Sequence, residues 1–180
     1  MKILIVSDSH YYNEYLEKIT NHFKDNVDLL IHCGDSSLNK DDPLLKDYIT
    51  VIGNHDTQNF PDYYIYKNIL VTHGHLYDIY LGYDKLIELC KKNNCQYCFH
   101  GHTHIPTYQI HDNIHFINPG STMMNRGNYG FGSFSIVNIE NNHLEVHFYN
   151  HETIEQCDYI IENGFELLNE IKETIKASNL

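Results

Sequence analysis

The sequence is poor in basic residues: 12 Lys and Arg stand against 24 Asp and Glu, giving a formal net charge of −12 at pH 7 with histidine neutral. Such an acidic excess repels polyanions, which excludes a broad groove for long nucleic acid. No Lys- or Arg-rich run is present that would bind a membrane surface. A small phosphorylated ligand stays compatible with the composition, because bound metal ions would reverse the local field.

Long hydrophobic runs are also lacking, and no stretch approaches the roughly 20 apolar residues of a membrane-spanning helix. The apolar residues 3–6 are too few for a secretory signal before the charged Asp8. An odd number of cysteines favours reduced thiols: Cys33, Cys90, Cys95, Cys98 and Cys157. The C-x-x-C formed by Cys95 and Cys98 lacks the second pair of a structural zinc site, so we interpret both as packing residues. Together these absences predict a soluble cytoplasmic protein.

A chain of 180 residues predicts a single domain over residues 1–180, with a full-sized core over residues 1–150. In its first half, apolar runs predict strands at residues 3–6, 27–32, 49–52, 63–66, 69–72 and 97–99. Amphipathic segments predict one helix that Asn13 caps and a second over residues 84–92. The strand–helix–strand order at the start predicts a right-handed βαβ unit.

The second half is expected to be mostly β-structure. Alternating segments at residues 107–111, 115–117, 133–139 and 144–149 are separated by turn-forming Asp and Asn pairs at 112–113 and 141–142. This pattern predicts an antiparallel meander. Residues 151–180 form a C-terminal extension with an amphipathic helix, whose apolar face is Phe165, Leu168, Ile171 and Ile175. That face either docks on the domain or stays exposed for a partner or a dimer, and Gly164 argues against a helix that begins upstream of it.

Five short segments place metal-binding side chains directly after apolar runs. They are Asp8-Ser9-His10, Gly34-Asp35, Gly53-Asn54-His55-Asp56, Thr72-His73-Gly74-His75 and Gly101-His102-Thr103-His104. The segments are too far apart in sequence to form a local metal loop, so the fold must bring them together. We therefore predict a two-metal centre. The segment Asn118-Pro119-Gly120-Ser121 also follows an apolar run but is expected to contribute shape rather than a ligand.

The residue types at these positions define a mixed oxygen and nitrogen site. Asp8 and His10 are two residues apart on what should be an extended loop, so both side chains would face one ion. Asp35 can offer one oxygen to each of two ions. Because the set lacks thiolate, manganese, iron, zinc and nickel are all acceptable metals. Two divalent ions, two aspartates and a bridging hydroxide leave one formal positive charge, which matches a singly charged phosphodiester.

The order and spacing of these segments resemble the motif set of the calcineurin-like metallophosphoesterases. They are most similar to the small single-domain bacterial and archaeal phosphodiesterases of that superfamily, over residues 1 to about 150. The resemblance implies an α/β fold, a four-layer sandwich of two mixed β-sheets flanked by helices. It assigns Asp8, His10, Asp35 and His104 to one metal ion. It assigns Asp35, Asn54, His73 and His102 to the other ion.

The resemblance also implies a reaction, namely two-metal hydrolysis of a small phosphodiester by a bridging hydroxide. Two divalent ions are expected, Mn²⁺ first and Ni²⁺, Fe²⁺ or Zn²⁺ as alternatives. His55 matches the histidine that the family places beside the leaving group, with Asp56 as its orienting partner. Arg126 is a candidate for contacting a substrate phosphate or is simply an exposed loop arginine, and His75 is a candidate for lining the pocket.

Two alternatives stay open alongside the diesterase. One is a protein-binding scaffold that resembles the retromer subunit of the superfamily, although that branch departs from the histidine found here as His55. The other is a phosphomonoesterase, since the same centre can attack a doubly charged phosphate. Phosphoprotein substrates are disfavoured, because the segment after Gly34-Asp35 is Ser-Ser-Leu-Asn rather than Asp-Arg-Gly. Formation of a homo-oligomer also stays open.

Overall fold

The apolar runs form strands and the amphipathic segments form helices throughout residues 1–141 and 143–178, the part of the chain that this computed structural model describes. Its strands are β1 (Lys2–Val6), β2 (Leu29–His32), β3 (Tyr48–Thr50), β4 (Tyr63–Tyr66), β5 (Ile69–Thr72), β6 (Tyr97–Phe99), β7 (Thr107–His111), β8 (Ile114–Asn118), β9 (Ser133–Glu140) and β10 (His143–Asn150). Its α-helices are α1 (Asn13–Phe23), α2 (Asp84–Lys92) and α3 (Ile160–Ser178).

The strands form two mixed five-stranded sheets, which we call sheet A and sheet B. Sheet A has the order β10-β9-β1-β2-β3, and sheet B has the order β4-β5-β6-β8-β7. In sheet A, β1, β2 and β3 run parallel, while β9 and β10 are antiparallel to their neighbours. In sheet B, β5, β6 and β8 run parallel between antiparallel β4 and β7. Each sheet thus has three parallel strands, which lie along one side of sheet A and at the centre of sheet B.

The alternation of side chains along the buried strands produces four layers. In β1, Ile3 and Ile5 face a core shared with Val71 and Phe99 of sheet B. The intervening residues of β1 point the other way, into a second core that includes Leu16 of α1. A third core joins the outer face of sheet B to α2. The order helix, sheet, sheet, helix confirms the predicted four-layer α/β sandwich.

Strand pairing in the second half differs from the predicted meander. The β7–β8 hairpin joins sheet B, whereas the β9–β10 hairpin joins sheet A. Because β8 also pairs in parallel with β6, the four strands cannot form one antiparallel series. The turn expected at residues 112–113 does connect β7 and β8. Of the second turn pair, Asn142 lies outside the described residues.

Smaller differences have local causes. Strand β3 ends at Thr50 because the Ile52 N–H donates to the Pro61 carbonyl instead of continuing the ladder. Helix α1 is preceded by Tyr12 at the capping position, so Asn13 is the first helical residue and does not cap. Within the described residues, its Oδ1 has no hydrogen-bond partner.

The C-terminal helix α3 docks on the domain through most of the predicted face, with Leu168 buried and Ile171 and Ile175 half-buried, and Phe165 is the exception. Its buried residues are Ile160, Gly164 and Leu168, whereas Phe165 is 49% exposed. A Cβ on Gly164 would lie 2.1 Å from the Pro106 carbonyl oxygen, so this glycine allows the closest approach of helix and body. Contrary to the expectation from Gly164, the helix begins upstream of it, at Ile160. Phe165 faces outward. Among the described residues, no helix is both long and apolar enough to cross a lipid bilayer.

Candidate metal centre

The predicted ligands converge at one edge of the molecule, beyond the carboxyl ends of the parallel strands. Loops after β1, β2 and β3 of sheet A carry the first three ligand segments, and loops after β5 and β6 of sheet B carry the other two. Parallel strands end at the same edge of a sheet, so both sheets direct their loops into one crevice, the usual ligand position in such sheets. Convergence of segments from residue 8 to residue 104 follows from this topology.

The sequence spacing had suggested extended ligand loops, but the loops are tight turns. Five of the seven predicted ligands have positive φ angles, namely Asp8 (53°), His10 (44°), Asp35 (56°), His102 (68°) and His104 (57°). Left-handed backbone is unfavourable for residues with a side chain and often occurs at functional sites. The paired ligands converge through tight turns, and the surrounding hydrogen bonds hold those turns: the Asp8 N–H donates to Gly34 O at 3.0 Å, and the His10 N–H donates to Asp35 O at 3.1 Å.

Two glycines beside the ligands are required by close approach. A Cβ on Gly53 would lie 2.0 Å from Oδ1 of Asp35 and 2.3 Å from its backbone nitrogen. A Cβ on Gly101 would lie 1.9 Å from Oγ of Ser7 and 2.6 Å from Oδ2 of Asp8. These positions explain why Asn54 and His102 each follow a glycine in the sequence.

One group of donor atoms comprises Asp8, His10 and His104, which lie within 4.8 Å of one another. Oδ1 of Asp8 is 3.1 Å from Nε2 of His104 and 3.9 Å from Nε2 of His10. The two imidazole nitrogens are 3.2 Å apart. Oδ2 of Asp8 is already engaged, because it accepts from Ser7 Oγ at 2.5 Å and from the His102 N–H at 3.1 Å. The free Oδ1 therefore points at both histidines.

A second group comprises Asp8, Asp35 and His73, again within 4.8 Å of one another. Oδ2 of Asp35 is 3.3 Å from Nε2 of His73 and 3.8 Å from Nε2 of His10, so it faces both groups. Its Oδ1 accepts the His55 N–H at 2.7 Å. Oδ1 of Asn54 lies 3.1 Å from Nε2 of His73.

The remaining predicted ligand, His102, stands on the far side of His73, with the two ring centroids 5.1 Å apart. Nδ1 of His73 lies 2.8 Å from the Cys33 carbonyl oxygen, to which it donates. That bond leaves Nε2 of His73 free to bind a cation. Contacts thus link all seven predicted ligands, and Asp8 belongs to both donor groups.

The donor set fits divalent cations. Oδ1 of Asp8 is fully buried and, among the described residues, has no hydrogen-bond partner of acceptable geometry. An unpaired buried carboxylate oxygen is costly, and a bound cation would satisfy it. Carboxylate, amide and imidazole donors without thiolate suit manganese, iron, nickel or zinc.

The electrostatic environment keeps the aspartates charged. Burial favours the neutral form of Asp8, but His73 and His104 outweigh it and hold the pKa of Asp8 well below its usual range. Burial likewise opposes protonation of His73, yet Asp8 and Asp35 raise its pKa. For His102, burial and the neighbouring His73 lower the pKa to about 4. A bound metal ion would take over the stabilisation of the Asp8 and Asp35 carboxylates.

Asp56 has a different role from the one predicted. Its carboxylate accepts backbone N–H groups from Asp35 at 2.8 Å, Ser37 at 2.7 Å and Gly53 at 2.8 Å. Ser36 Oγ adds a further contact at 3.3 Å. No hydrogen bond joins Asp56 to the His55 ring in the described structure. Asp56 therefore ties the loops after β2 and β3 together, rather than orienting His55.

His55 itself is exposed and lies beside the first donor group. Its ring is T-shaped against His10, with the centroids 5.2 Å apart. The ring is thus free to contact a group bound at the centre, while its backbone N–H is fixed by Asp35.

Of the two predicted substrate residues, His75 lies beside His73 and His102, and Arg126 lies beside Tyr80. His75 has its ring centroid 5.3 Å from that of His73 and 6.1 Å from that of His102. Arg126 is exposed, with its guanidinium carbon 5.7 Å from the centroid of the Tyr80 ring. Its backbone N–H donates to the His104 carbonyl at 2.8 Å. Sequence reasoning missed Tyr80, whose contact with His102 comes from a loop that no local pattern marks.

The Asn-Pro-Gly-Ser turn after β8 supports the ligand loops, as predicted, without supplying a ligand. Nδ2 of Asn118 donates to the Gly101 carbonyl and to Thr103 Oγ1, both at 2.9 Å. Oγ of Ser121 donates to the Asp8 carbonyl at 2.8 Å. These buried bonds hold the loop after β6 and the loop after β1 in their left-handed conformations.

Known proteins share both this sequence pattern and this fold. A sequence profile described as the calcineurin-like phosphoesterase superfamily domain matches residues 1–142. The chain is 36% identical over 154 residues to the probable metallophosphoesterase YsnB of Bacillus subtilis. The aligned region covers 83% of this chain and 90% of the relative.

Solved structures agree. A conserved uncharacterized protein of Streptococcus pneumoniae, a predicted phosphoesterase, matches with a TM-score of 0.79 and 31% identity over 84% of this chain and 90% of that one. Vacuolar protein sorting 29 of Cryptosporidium parvum matches with a TM-score of 0.71, over 87% of this chain and 94% of that one; at 16% identity, this likeness shows the fold alone. The family and fold that the motif order predicted are thus confirmed, and the chain belongs to the calcineurin-like phosphoesterase superfamily.

Proposed function

We propose that this protein is a metal-dependent hydrolase of a small phosphodiester that uses two divalent ions. The observation that carries the proposal is the pair of donor groups that meet at Asp8 and Asp35. Either group alone would be weak evidence for an ion, but the two groups share Asp8, Asp35 faces both, and their residues come from both sheets, which favours a dinuclear site. The net charge of such a site favours a singly charged diester over a polyanion.

The residues that would hold the metals follow from the geometry and the family resemblance. Asp8, His10 and His104 would hold one ion, Asn54, His73 and His102 the other, and Asp35 would join them. Such ions, when bound, supply Lewis-acid stabilisation of phosphoryl oxygens and lower the pKa of a coordinated water. We propose Mn²⁺ as the first candidate, with Ni²⁺, Fe²⁺ and Zn²⁺ as alternatives.

His55 would act on the leaving group. It is exposed at the rim of the centre and stands beside His10, so a substrate held at the centre brings an ester oxygen within its reach. An imidazole in that position can donate a proton to the departing oxygen. No protein nucleophile is required for this reaction.

The test is hydrolysis of bis(4-nitrophenyl) phosphate by protein loaded with Mn²⁺, with metal content measured on the same sample. We expect turnover that chelation abolishes and Mn²⁺ restores. Asp35→Asn and His102→Ala should each lose at least about a hundredfold in kcat/KM, because each removes a metal ligand. The matched controls are Asp47→Asn and His143→Ala, which change the same residue types at exposed positions. Full activity in Asp35→Asn would refute the ligand assignment.

The same assay separates the alternatives. A phosphomonoesterase would hydrolyse 4-nitrophenyl phosphate with a higher kcat/KM than the diester. A scaffold comparable to vacuolar protein sorting 29 would bind metal yet cleave neither ester. The fold likeness to that protein keeps the scaffold in view, although the complete donor set and His55 favour an enzyme.

A further inference from the structure

A cleft lies beside the metal centre, where the predicted ligand His102 forms part of its lining. Its volume is about 210 Å³, and its lining includes His75, Tyr80, Leu81, His102 and Ile175. Pockets for drug-sized ligands usually measure roughly 300 to 1,000 Å³. The smaller volume suits one ring-sized organic group next to a phosphate, rather than a whole cofactor.

Tyr80 forms one wall and is held in place by the metal-ligand loops. Its hydroxyl donates to the His102 carbonyl at 3.4 Å, and its ring is T-shaped against the His102 ring with centroids 5.3 Å apart. Arg126 lies over the same ring. An aromatic face fixed in this way offers a stacking or edge contact to an aromatic ligand.

The opposite wall comes from the C-terminal helix. Ile175 of α3 lines the cleft and is half-buried, although α3 lies entirely beyond residues 1–142, which the superfamily profile matches. The helix is anchored upstream by Gly164 and Leu168. Asp78, the charged residue of this lining, is paired with Lys85. The contact surface that faces a ligand is therefore mainly Tyr80, Leu81 and Ile175.

The position of the cleft decides which part of a diester it would hold. His55 contacts His10, a predicted ligand of one ion, whereas Tyr80 contacts His102, a predicted ligand of the other. If His55 acts at the departing oxygen, the flank beside His102 faces an ester arm that stays on phosphorus.

We propose that this cleft binds the ester arm retained on phosphorus and prefers an aromatic ring there, with Tyr80 and Ile175 as specificity-determining residues. The proposal rests on the proposed diesterase function. It also gives α3 a role in substrate selection.

The test compares phenyl 4-nitrophenyl phosphate with ethyl 4-nitrophenyl phosphate, which share one leaving group and differ in the retained arm. Burial of a ring should give a phenyl-to-ethyl ratio of kcat/KM of about tenfold or more in the wild type. Tyr80→Ala and Ile175→Ser should each lower that ratio at least threefold. The change of ratio between wild type and variant cancels the intrinsic reactivity of the two esters.

Two controls address disturbance of the fold. Tyr80→Phe keeps the ring and should keep the ratio. Ile171→Ser makes the same change as Ile175→Ser one turn earlier on α3, at a half-buried residue outside the cleft lining, and should also keep it. Wild-type ratios in Tyr80→Ala and Ile175→Ser, or an equal loss in Ile171→Ser, would overturn the proposal.

A binding measurement separates this inference from the proposed function. In calorimetric titration of the metal-loaded protein, phenylphosphonate should bind about tenfold more tightly than methylphosphonate, and Tyr80→Ala should remove the difference. If neither diester is hydrolysed, the proposed function fails and the titration still decides the cleft. Equal affinities of the two phosphonates would refute the aromatic preference.

Discussion

At the scale of single residues, the centre also depends on side chains that are not predicted metal ligands. Asp56 accepts three backbone N–H groups from the loops that hold Asp35 and Gly53. The carboxylate is suited to this because both oxygens are acceptors, whereas an amide can accept on only one side. His55, one residue earlier, is exposed and touches the centre from outside. Two neighbouring residues thus have separable jobs.

Replacement of Asp56 should therefore act through stability. We expect Asp56→Asn to lower the free energy of unfolding by about 2 to 4 kcal/mol, because the new amide NH₂ would face backbone donors. Urea denaturation of the metal-free protein measures this. Asp47→Asn, at an exposed position, should change the free energy by less than about 0.5 kcal/mol. If Asp56→Asn unfolds like the wild type but loses activity, Asp56 acts on the reaction and the structural role is wrong.

Replacement of His55 should act through the reaction alone. We expect His55→Ala to keep its metal content and its unfolding midpoint. Its kcat should fall by about 10²- to 10⁴-fold for a diester with an alkyl leaving group, which needs a proton as it departs. With 4-nitrophenolate, a leaving group stable without a proton, the loss should be much smaller. An equal loss for both leaving groups would contradict proton donation by His55.

The convergence of the candidate ligands could be predicted at this scale because Asp, His and Asn residues follow apolar runs in five segments. Their backbone conformations could not. The sequence spacing of Asp8 and His10 suggested an extended loop, yet both have positive φ angles. Those angles are imposed by distant partners, such as Ser121 Oγ on the Asp8 carbonyl, and a single sequence contains no local sign of such bonds.

At the scale of elements, the strands and helices of the first half match their apolar patterns closely. Helix α2 has the predicted bounds, Asp84–Lys92, and β4 and β5 form the predicted hairpin. The sequence pattern also indicated the β7–β8 and β9–β10 hairpins, but it did not predict that they would join two different sheets. Local alternation defines a hairpin, whereas the partner strand beyond it depends on long-range packing.

The C-terminal helix gives a prediction at the same scale. Gly164→Ala should raise intrinsic helix propensity by about 1 kcal/mol. It should nevertheless lower the free energy of unfolding by about 1 to 3 kcal/mol, because the new methyl group collides with the Pro106 carbonyl and displaces α3.

Circular dichroism and thermal unfolding together check this outcome, with retained helicity and a lower melting temperature expected. Asn163→Ala, at an exposed position of the same helix, is the control and should not lower it. A higher melting temperature for Gly164→Ala would show that α3 is not docked through Gly164.

At the scale of the whole molecule, buried histidines couple stability to pH. Burial lowers the pKa of both His32 and His100 to about 4. The Gly34 N–H donates to Nδ1 of His32, so protonation there would break a buried bond. Since the unfolded chain titrates near 6.5, it binds more protons than the folded chain between pH 6.5 and about 4. Stability should therefore fall as the pH drops through this range.

Urea denaturation of metal-free protein at a series of pH values measures that fall. His102 shifts in the same direction, to about 4, whereas the raised pKa of His73 opposes the effect only near and above pH 6.5, where the unfolded His73 loses its proton. We expect the slope to correspond to at least about two protons taken up on unfolding. If stability stayed constant or increased as the pH dropped from 6.5 to 4.5, the neutral state of these buried histidines would be contradicted.

The central claim for the molecule is that both sheets jointly build a dinuclear metal site. The most direct test is anomalous diffraction from crystals of the Mn²⁺-loaded protein. We expect two peaks roughly 3.5 to 4 Å apart, as in other two-metal sites. One should lie among Asp8, His10 and His104, the other among Asn54, His73 and His102, with Asp35 touching both. A single peak, or peaks outside these seven side chains, would contradict the claim.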